Sequence, residues 1–253
     1  MTLIAFRDPV SAWTHCAWLV LSIPATVMLW RRTRGDLARQ ISMLVFGLGL
    51  AACYAGSTMY HGVNLSPEEL DFYDRLDHIG IYLLIAGSYT PLAWNMMRHP
   101  WRTTVLVAAW ASALGGSAFL ALRGVLPPFW ATLIYLLMGW GAIFCYLELL
   151  REVTHRRLFP LLLGGMLYSV GAFLNLLSWP TLLPGFLGAH EIFHLFVMAG
   201  SAAHFMFVLH VVAPHGRAPS VGSALVRRTQ ETAAPAFVRS VRGTDRVVRR
   251  RHP

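Results

Sequence analysis

Three histidines, His61, His190 and His194, stand in stretches that are otherwise apolar. Two of them close the run His190-Glu191-Ile192-Phe193-His194. On a helix a spacing of four turns both imidazoles to one face, where they can share one metal ion. The third closes Ser57-Thr58-Met59-Tyr60-His61, and the same spacing puts Ser57 on its face. A carboxylate, Asp77, follows in Arg75-Leu76-Asp77-His78. An ionisable group inside an apolar span is a functional-site candidate by default, because lipid penalises it. Three imidazoles with one open position are the donor set of catalytic zinc, which lowers the pKa of bound water to about 7. The expectation is therefore Zn2+ held by His61, His190 and His194. Ser57 and Asp77 would orient water, with Asp77 as the candidate general base.

Other readings of these residues compete. The letters of His190–His194 also match the HExxH pattern of zinc proteases, with Glu191 as base. That reading leaves the Ser57–His61 face and Asp77 without a role. His204 lies ten residues beyond His194, roughly 15 Å along a helix, too far to reach the same ion. It is read, with His15, His78 and His210, as a packing, capping or interface histidine. Glu68, Glu69, Asp71 and Asp74 read as a solvated acidic loop, with cation attraction to the mouth of the site as the sharper alternative.

The elements that must position these groups follow from composition. The chain has 253 residues, 56% hydrophobic and 13% charged, with mean hydropathy +0.52. A soluble domain carries about 25% charged residues. Too little polar surface is left to coat a soluble globule, so the expected class is an all-α polytopic membrane protein. Seven apolar segments, 12–31, 38–63, 74–97, 103–122, 128–150, 157–178 and 186–212, are each long enough to span, which predicts a seven-transmembrane-helix bundle over 1–213. Residues 214–253 are rich in Arg, Ser, Thr, Ala and Pro and read as a basic, disordered cytoplasmic tail. Cys16, Cys53 and Cys145 lie in apolar stretches without paired spacing, so no disulfide framework is expected. The first eleven residues lack the features of a removable signal peptide.

Net charge is +9, and every basic residue is Arg. Eighteen Arg fall in the odd-numbered loops and the tail, against three on the opposite side. This places the C-terminus in the cytoplasm and the N-terminus outside. The same distribution argues for anionic lipid headgroups, not nucleic acid, as the partner of the basic tail. Helices alternate direction, so the end of the second span and the starts of the third and seventh share one membrane side. His61, Asp77, His190 and His194 can thus meet at one depth.

The stretches DPVSAWTH, AGSTMYH, RLDHIGIYLLIAGSYTPL, GGMLYSVGAF and HEIFHLFVMAGSAAHF run in order from about residue 8 to 207. Taken together, they resemble the hemolysin III family, the bacterial branch of the progestin and adiponectin receptor superfamily. The resemblance implies a multi-pass protein of the bacterial cell (inner) membrane, with seven helices around an intramembrane zinc. It implies ligands at His61, His190 and His194, and water between the metal and Ser57 and Asp77. In the receptor branch the N-terminus is cytosolic; the Arg distribution of this chain gives the opposite orientation. The wider group is similar to alkaline ceramidases, which implies hydrolysis of a lipid amide or ester. A receptor or sensor with structural zinc is the non-enzymatic alternative, and the family name adds a pore-forming cytolysin.

Overall fold

A computed structural model describes residues 6–215. The basic tail from residue 216 onward lies outside them, and with it the expected lipid contacts of that tail. The described residues form eight α-helices and no strand: α1 (Pro9–Arg32), α2 (Leu37–Gly62), α3 (Pro67–Met96), α4 (Trp101–Arg123), α5 (Pro128–Trp140), α6 (Ala142–Leu149), α7 (His155–Leu176) and α8 (Ala189–Phe207). A π-helical turn, Val208–Val212, continues α8. Taking α5 with α6 as one span, six helices are long and apolar enough to cross a membrane. The remaining long helix is α3, with 30 residues. Its apolarity is diluted by Tyr82, Ser88, Tyr89, Thr90 and Asn95. Large side chains such as Val20, Leu137 and Phe144 point outward. An apolar exterior of this extent suits lipid and not water.

Packing is tightest between α2 and α3, and small residues allow it. Gly49 and Gly56 on α2 and Gly80 and Gly87 on α3 each recur at seven residues. A Cβ at Gly56 would come within 2.8 Å of the Leu76 carbonyl oxygen, and one at Gly80 within 2.7 Å of the Cys53 Cα. Close approach of two backbones through small residues is the usual device of membrane helices, where lipid removes the hydrophobic drive to associate. The buried Tyr54 hydroxyl donates to Ser201 Oγ at 2.6 Å, and Tyr168 meets the same oxygen at 2.7 Å. This links α2, α7 and α8 in the core. At the opposite end of the spans from His61, Arg39 bonds Asn95 Oδ1 at 3.2 Å and the Ala213 carbonyl at 2.9 Å.

Two boundaries differ from the sequence reading. The acidic run expected as a loop is the first turns of α3. Ser66 caps it: its Oγ accepts from Glu69 N–H, and Glu69 Oε2 accepts from Ser66 N–H at 3.1 Å. Pro67 sits at the first helical position, where its missing N–H costs nothing. The fifth segment is broken at Gly141 instead of continuous. There the Tyr89 hydroxyl donates to the Met138 and Gly139 carbonyls at 2.8 and 3.1 Å.

Candidate metal centre

Five helix ends meet on one side of the bundle. His61 lies in the last turn of α2, His190 and His194 in the first turns of α8, and Asp77 about three turns into α3. Asp8 precedes α1, and Asn175 lies in the last turn of α7. The α2–α3 contact sets the first pairing, because Gly56 rests on the backbone of Leu76 and Asp77. One candidate ligand atom from each of His61, His190 and His194 falls within 4.8 Å of the others. Nε2 of His190 is 3.3 Å from Nε2 of His61 and 3.1 Å from Nε2 of His194. The sequence-predicted histidines are thus brought together, edge to edge, in a cluster able to hold a metal ion.

Asp77 joins them. Its Oδ2 lies 3.8 Å from His61 Nε2, and its side chain is 14% exposed. Ser57 is buried next to Asp77, toward whose carboxylate its hydroxyl is directed, but its Oγ completes no well-formed hydrogen bond among the described residues. A buried hydroxyl without a partner costs about 1–3 kcal/mol, so its presence argues for a ligand or water at that position. All-nitrogen imidazole donors fit zinc and its neighbours in the transition series, and not magnesium or calcium, which want oxygen. The donor chemistry and the orphaned hydroxyl both fit a bound metal with an exchangeable position.

Three further groups belong to the centre and were not expected there. Asp8 Oδ2 accepts from His61 Nδ1–H at 2.9 Å, and the Asp8 N–H donates to the His61 carbonyl at 3.0 Å. Burial raises the Asp8 pKa, but hydrogen bonds from His61 and Arg7 and their charges outweigh it and hold the carboxyl below its ordinary value. Asn175 Oδ1 faces His190 Nδ1 at 3.3 Å. His15, read as a packing histidine, stacks on His194 with ring centroids 4.0 Å apart, and neither of its ring nitrogens has a partner among the described residues. The sequence carried a usable signal for His15, an imidazole one turn and a half into an apolar span on the correct membrane side. It carried none for Asn175, whose position depends on how α7 meets α8.

The other histidines do not reach the cluster. His78 Nδ1 pairs with Asp74, 2.9 Å from its carbonyl oxygen. His204 Nε2 donates to the Leu161 carbonyl at 3.2 Å, and His210 is exposed on the π-turn. Glu191 is engaged at the helix start, where Oε2 accepts from the Gly188 N–H at 2.8 Å. That contact assigns it a capping role and removes the support for a protease base. The acidic residues of the early α3 are similarly engaged, Asp71 with Arg75 at 2.6 Å and Asp74 with His78 at 3.2 Å. Arg75 also donates to the Ala121 carbonyl at 2.9 Å, tying down the end of α4.

A cavity of about 1120 Å³ opens from this cluster. Ser57, Asp77, His190 and His194 line its polar end, and Leu92 and Val208 line its far end. From Asp77 to Leu92 along α3 is roughly 22 Å at the rise of a helix. The intervening wall is mostly apolar, with Ile81, Ile85 and Val197, and is broken by polar groups such as Tyr168, Ser169 and His204.

Comparison with known proteins agrees with this architecture. The family model described as "Haemolysin-III related" matches residues 4–205. "Hemolysin-3" of Bacillus cereus is 36% identical over 218 residues, covering 85% of this chain and 95% of that protein. "Hemolysin-3 homolog" of Bacillus subtilis (strain 168) is 35% identical over 208 residues, covering 80% and 93%. A more distant relative is "Adiponectin receptor protein" of Drosophila melanogaster, 25% identical over 225 residues, covering 76% of this chain and 48% of that one.

Proposed function

The chain belongs to the Haemolysin-III related family of multi-pass membrane proteins, and on that premise we propose that it is a zinc-dependent hydrolase of a lipid amide or ester. The observation that carries the proposal is a cavity with the imidazole cluster at one end and mostly apolar walls along the rest. Its volume exceeds the roughly 300–1,000 Å³ of small-molecule sites. Its length exceeds one leaflet of hydrocarbon, about half of ~30 Å. A lipid tail can therefore lie along the α3 and α8 walls while its polar linkage sits beside the histidines.

His61, His190 and His194 would hold the metal, which when bound supplies a Lewis acid and a water of near-neutral pKa. Asp77 lies beside His61 on the cavity wall, and in this reading its carboxylate would take up a proton there as general base. It would return the proton to the nitrogen or oxygen that leaves when the carbonyl–heteroatom bond breaks. Ser57, buried beside Asp77, offers its hydroxyl as a donor to the substrate carbonyl. The apolar walls exclude bulk water, which strengthens each of these contacts.

The test is turnover by purified protein of a set of N-acyl and O-acyl lipids, with wild type and Asp77→Asn compared at matched metal content. Loss of roughly 10²–10⁴ in rate with metal retained supports the reading. A metal-loaded wild type that hydrolyses none of the set defeats it. The non-enzymatic reading, a receptor or sensor with structural zinc, is weaker, because structural sites are normally closed by four protein ligands and three are clustered here.

A pore-forming reading draws on the name of the Bacillus cereus relative. A pore needs polar groups or a gate along its length, whereas the acidic groups of the cavity gather at one end and the lining beyond them is mostly apolar, broken by groups such as Ser169 and His204. Dye release from liposomes that survives His61→Ala would favour it. By the Arg distribution we place the metal centre toward the outer side. Cysteine introduced at Ser66 should then react with an impermeant reagent on intact cells; reaction only after lysis reverses the orientation.

A further inference from the structure

The three histidines of the cluster are held unequally on the side away from one another. His61 Nδ1 is bound by the Asp8 carboxylate at 2.9 Å, His190 Nδ1 faces the neutral Asn175 amide at 3.3 Å, and His194 Nδ1 has no partner among the described residues. An imidazole with one nitrogen on a metal must carry its proton on the other, so whatever accepts that proton sets the tautomer and the ring plane. A carboxylate does this best, since a charge-assisted hydrogen bond is about twice as strong as a neutral one.

Asp8 is itself held in place. Arg7 Nε donates to the same Oδ2 at 3.0 Å, and the Arg7 guanidinium lies 4.2 Å from the centre of the Tyr60 ring, next to His61. The Asp8 N–H is anchored on the His61 carbonyl. Phe6 packs on Trp13 and lies over Gly62, where a Cβ would come 3.3 Å from its ring. Residues 6–8 are thus laid across the end of α2.

We infer that Asp8 is the positioning residue of the metal centre: through its contact with Nδ1 it holds His61 as the tautomer whose Nε2 is free for the ion, and so makes the segment before the first helix part of the site. The inference rests on the reading that the cluster binds metal. Asn175 does the same for His190 with a weaker, uncharged contact.

The experiment uses the full chain in detergent, with zinc affinity measured by competition against a chromogenic chelator. Wild type, Asp8→Ala, Asp8→Asn and Asn175→Ala are compared, and cobalt is substituted for zinc to record the visible d–d spectrum. Loss of a hydrogen-bond partner of a ligating histidine costs about 10- to 100-fold in metal affinity. The expected order is Asp8→Ala weakest, then Asp8→Asn, then Asn175→Ala, with an altered cobalt spectrum in the Asp8 variants. A purely structural role would lower the melting temperature without changing affinity or spectrum in the protein that remains folded. If Asp8→Ala does not fold, Asp8→Asn decides, because it keeps the shape and loses only the charge.

Wild-type affinity and spectrum in both Asp8 variants overturn the inference while leaving the metal reading intact. A wild type that binds neither zinc nor cobalt overturns both.

Discussion

The two walls of the cavity are built on different terms. On one side α2 and α3 meet backbone to backbone, and 56% of the apolar stretch of α2 is buried. On the other side only 11% of the span Pro128–Leu149 is buried, and it is interrupted at Gly141. The close-packed side carries His61, Ser57 and Asp77; the open side contributes apolar lining such as Ala131 and Leu136. Protein interiors are close-packed and transmit small displacements, so a group that must hold an angle to within a fraction of an ångström belongs on the first kind of wall. A wall that only has to be oily, and against which a lipid tail slides, needs no such density.

This contrast can be broken in four ways. Replacing His190 and His194 together by Ala should abolish metal binding, taking about one zinc per chain to none by elemental analysis. Wild-type zinc in the double variant would remove the cluster from consideration. Gly56→Leu should come next, because the atom its Cβ meets is the Leu76 backbone oxygen, which cannot swing aside. Overpacking costs about 1–3 kcal/mol even where side chains can adjust, so the loss in thermal stability should lie at or above that range, with weakened zinc binding. An unshifted melting temperature would show that α2 and α3 are not in contact there.

The opposite wall predicts a different pattern. Ala142→Trp fills the cavity from α6 at the level of Tyr89, roughly 18 Å along α3 from Asp77. It should lower kcat/KM for lipid by roughly 5- to 150-fold, the equivalent of 1–3 kcal/mol, while zinc affinity stays as in wild type. Loss of zinc in that variant would mean the two walls are coupled. Leu137→Ala on the outer face of α5, where the side chain is 67% exposed, should change stability by no more than about 0.5 kcal/mol. A larger loss would assign that face a packing partner.

Much of this was legible locally, and the failures have identifiable causes. His190 and His194 could be paired because helical periodicity alone puts residues four apart on one face. His61 and Asp77 could be placed at their depth because alternating spans share sides. The start of α3 lies earlier than the apolar pattern implies, because Ser66-Pro67-Glu68-Glu69 spells a capping box with Pro at the first helical position. Four acidic residues within seven, 68–74, suggest solvent, while the capping chemistry beside them starts a helix. Glu191 shows the opposite case: the protease pattern is set aside on the sequence, and the helix start uses this carboxylate as a cap.

The sequence by itself determined the class of solvent, the succession of long apolar helices, the depth of the ionisable groups and the identity of three clustered imidazoles, because each follows from composition or from the period of a single helix. Only the tertiary structure decided that His15 stacks on His194, that Asp8 and Asn175 stand behind two of the histidines, and that the space beside them is one long cavity. A helix period fixes which residues share a face, but not the rotation, tilt and neighbour of that face. Those are set where Gly56 meets Leu76 and Gly80 meets Cys53, by contacts between residues 20 or more positions apart in the chain.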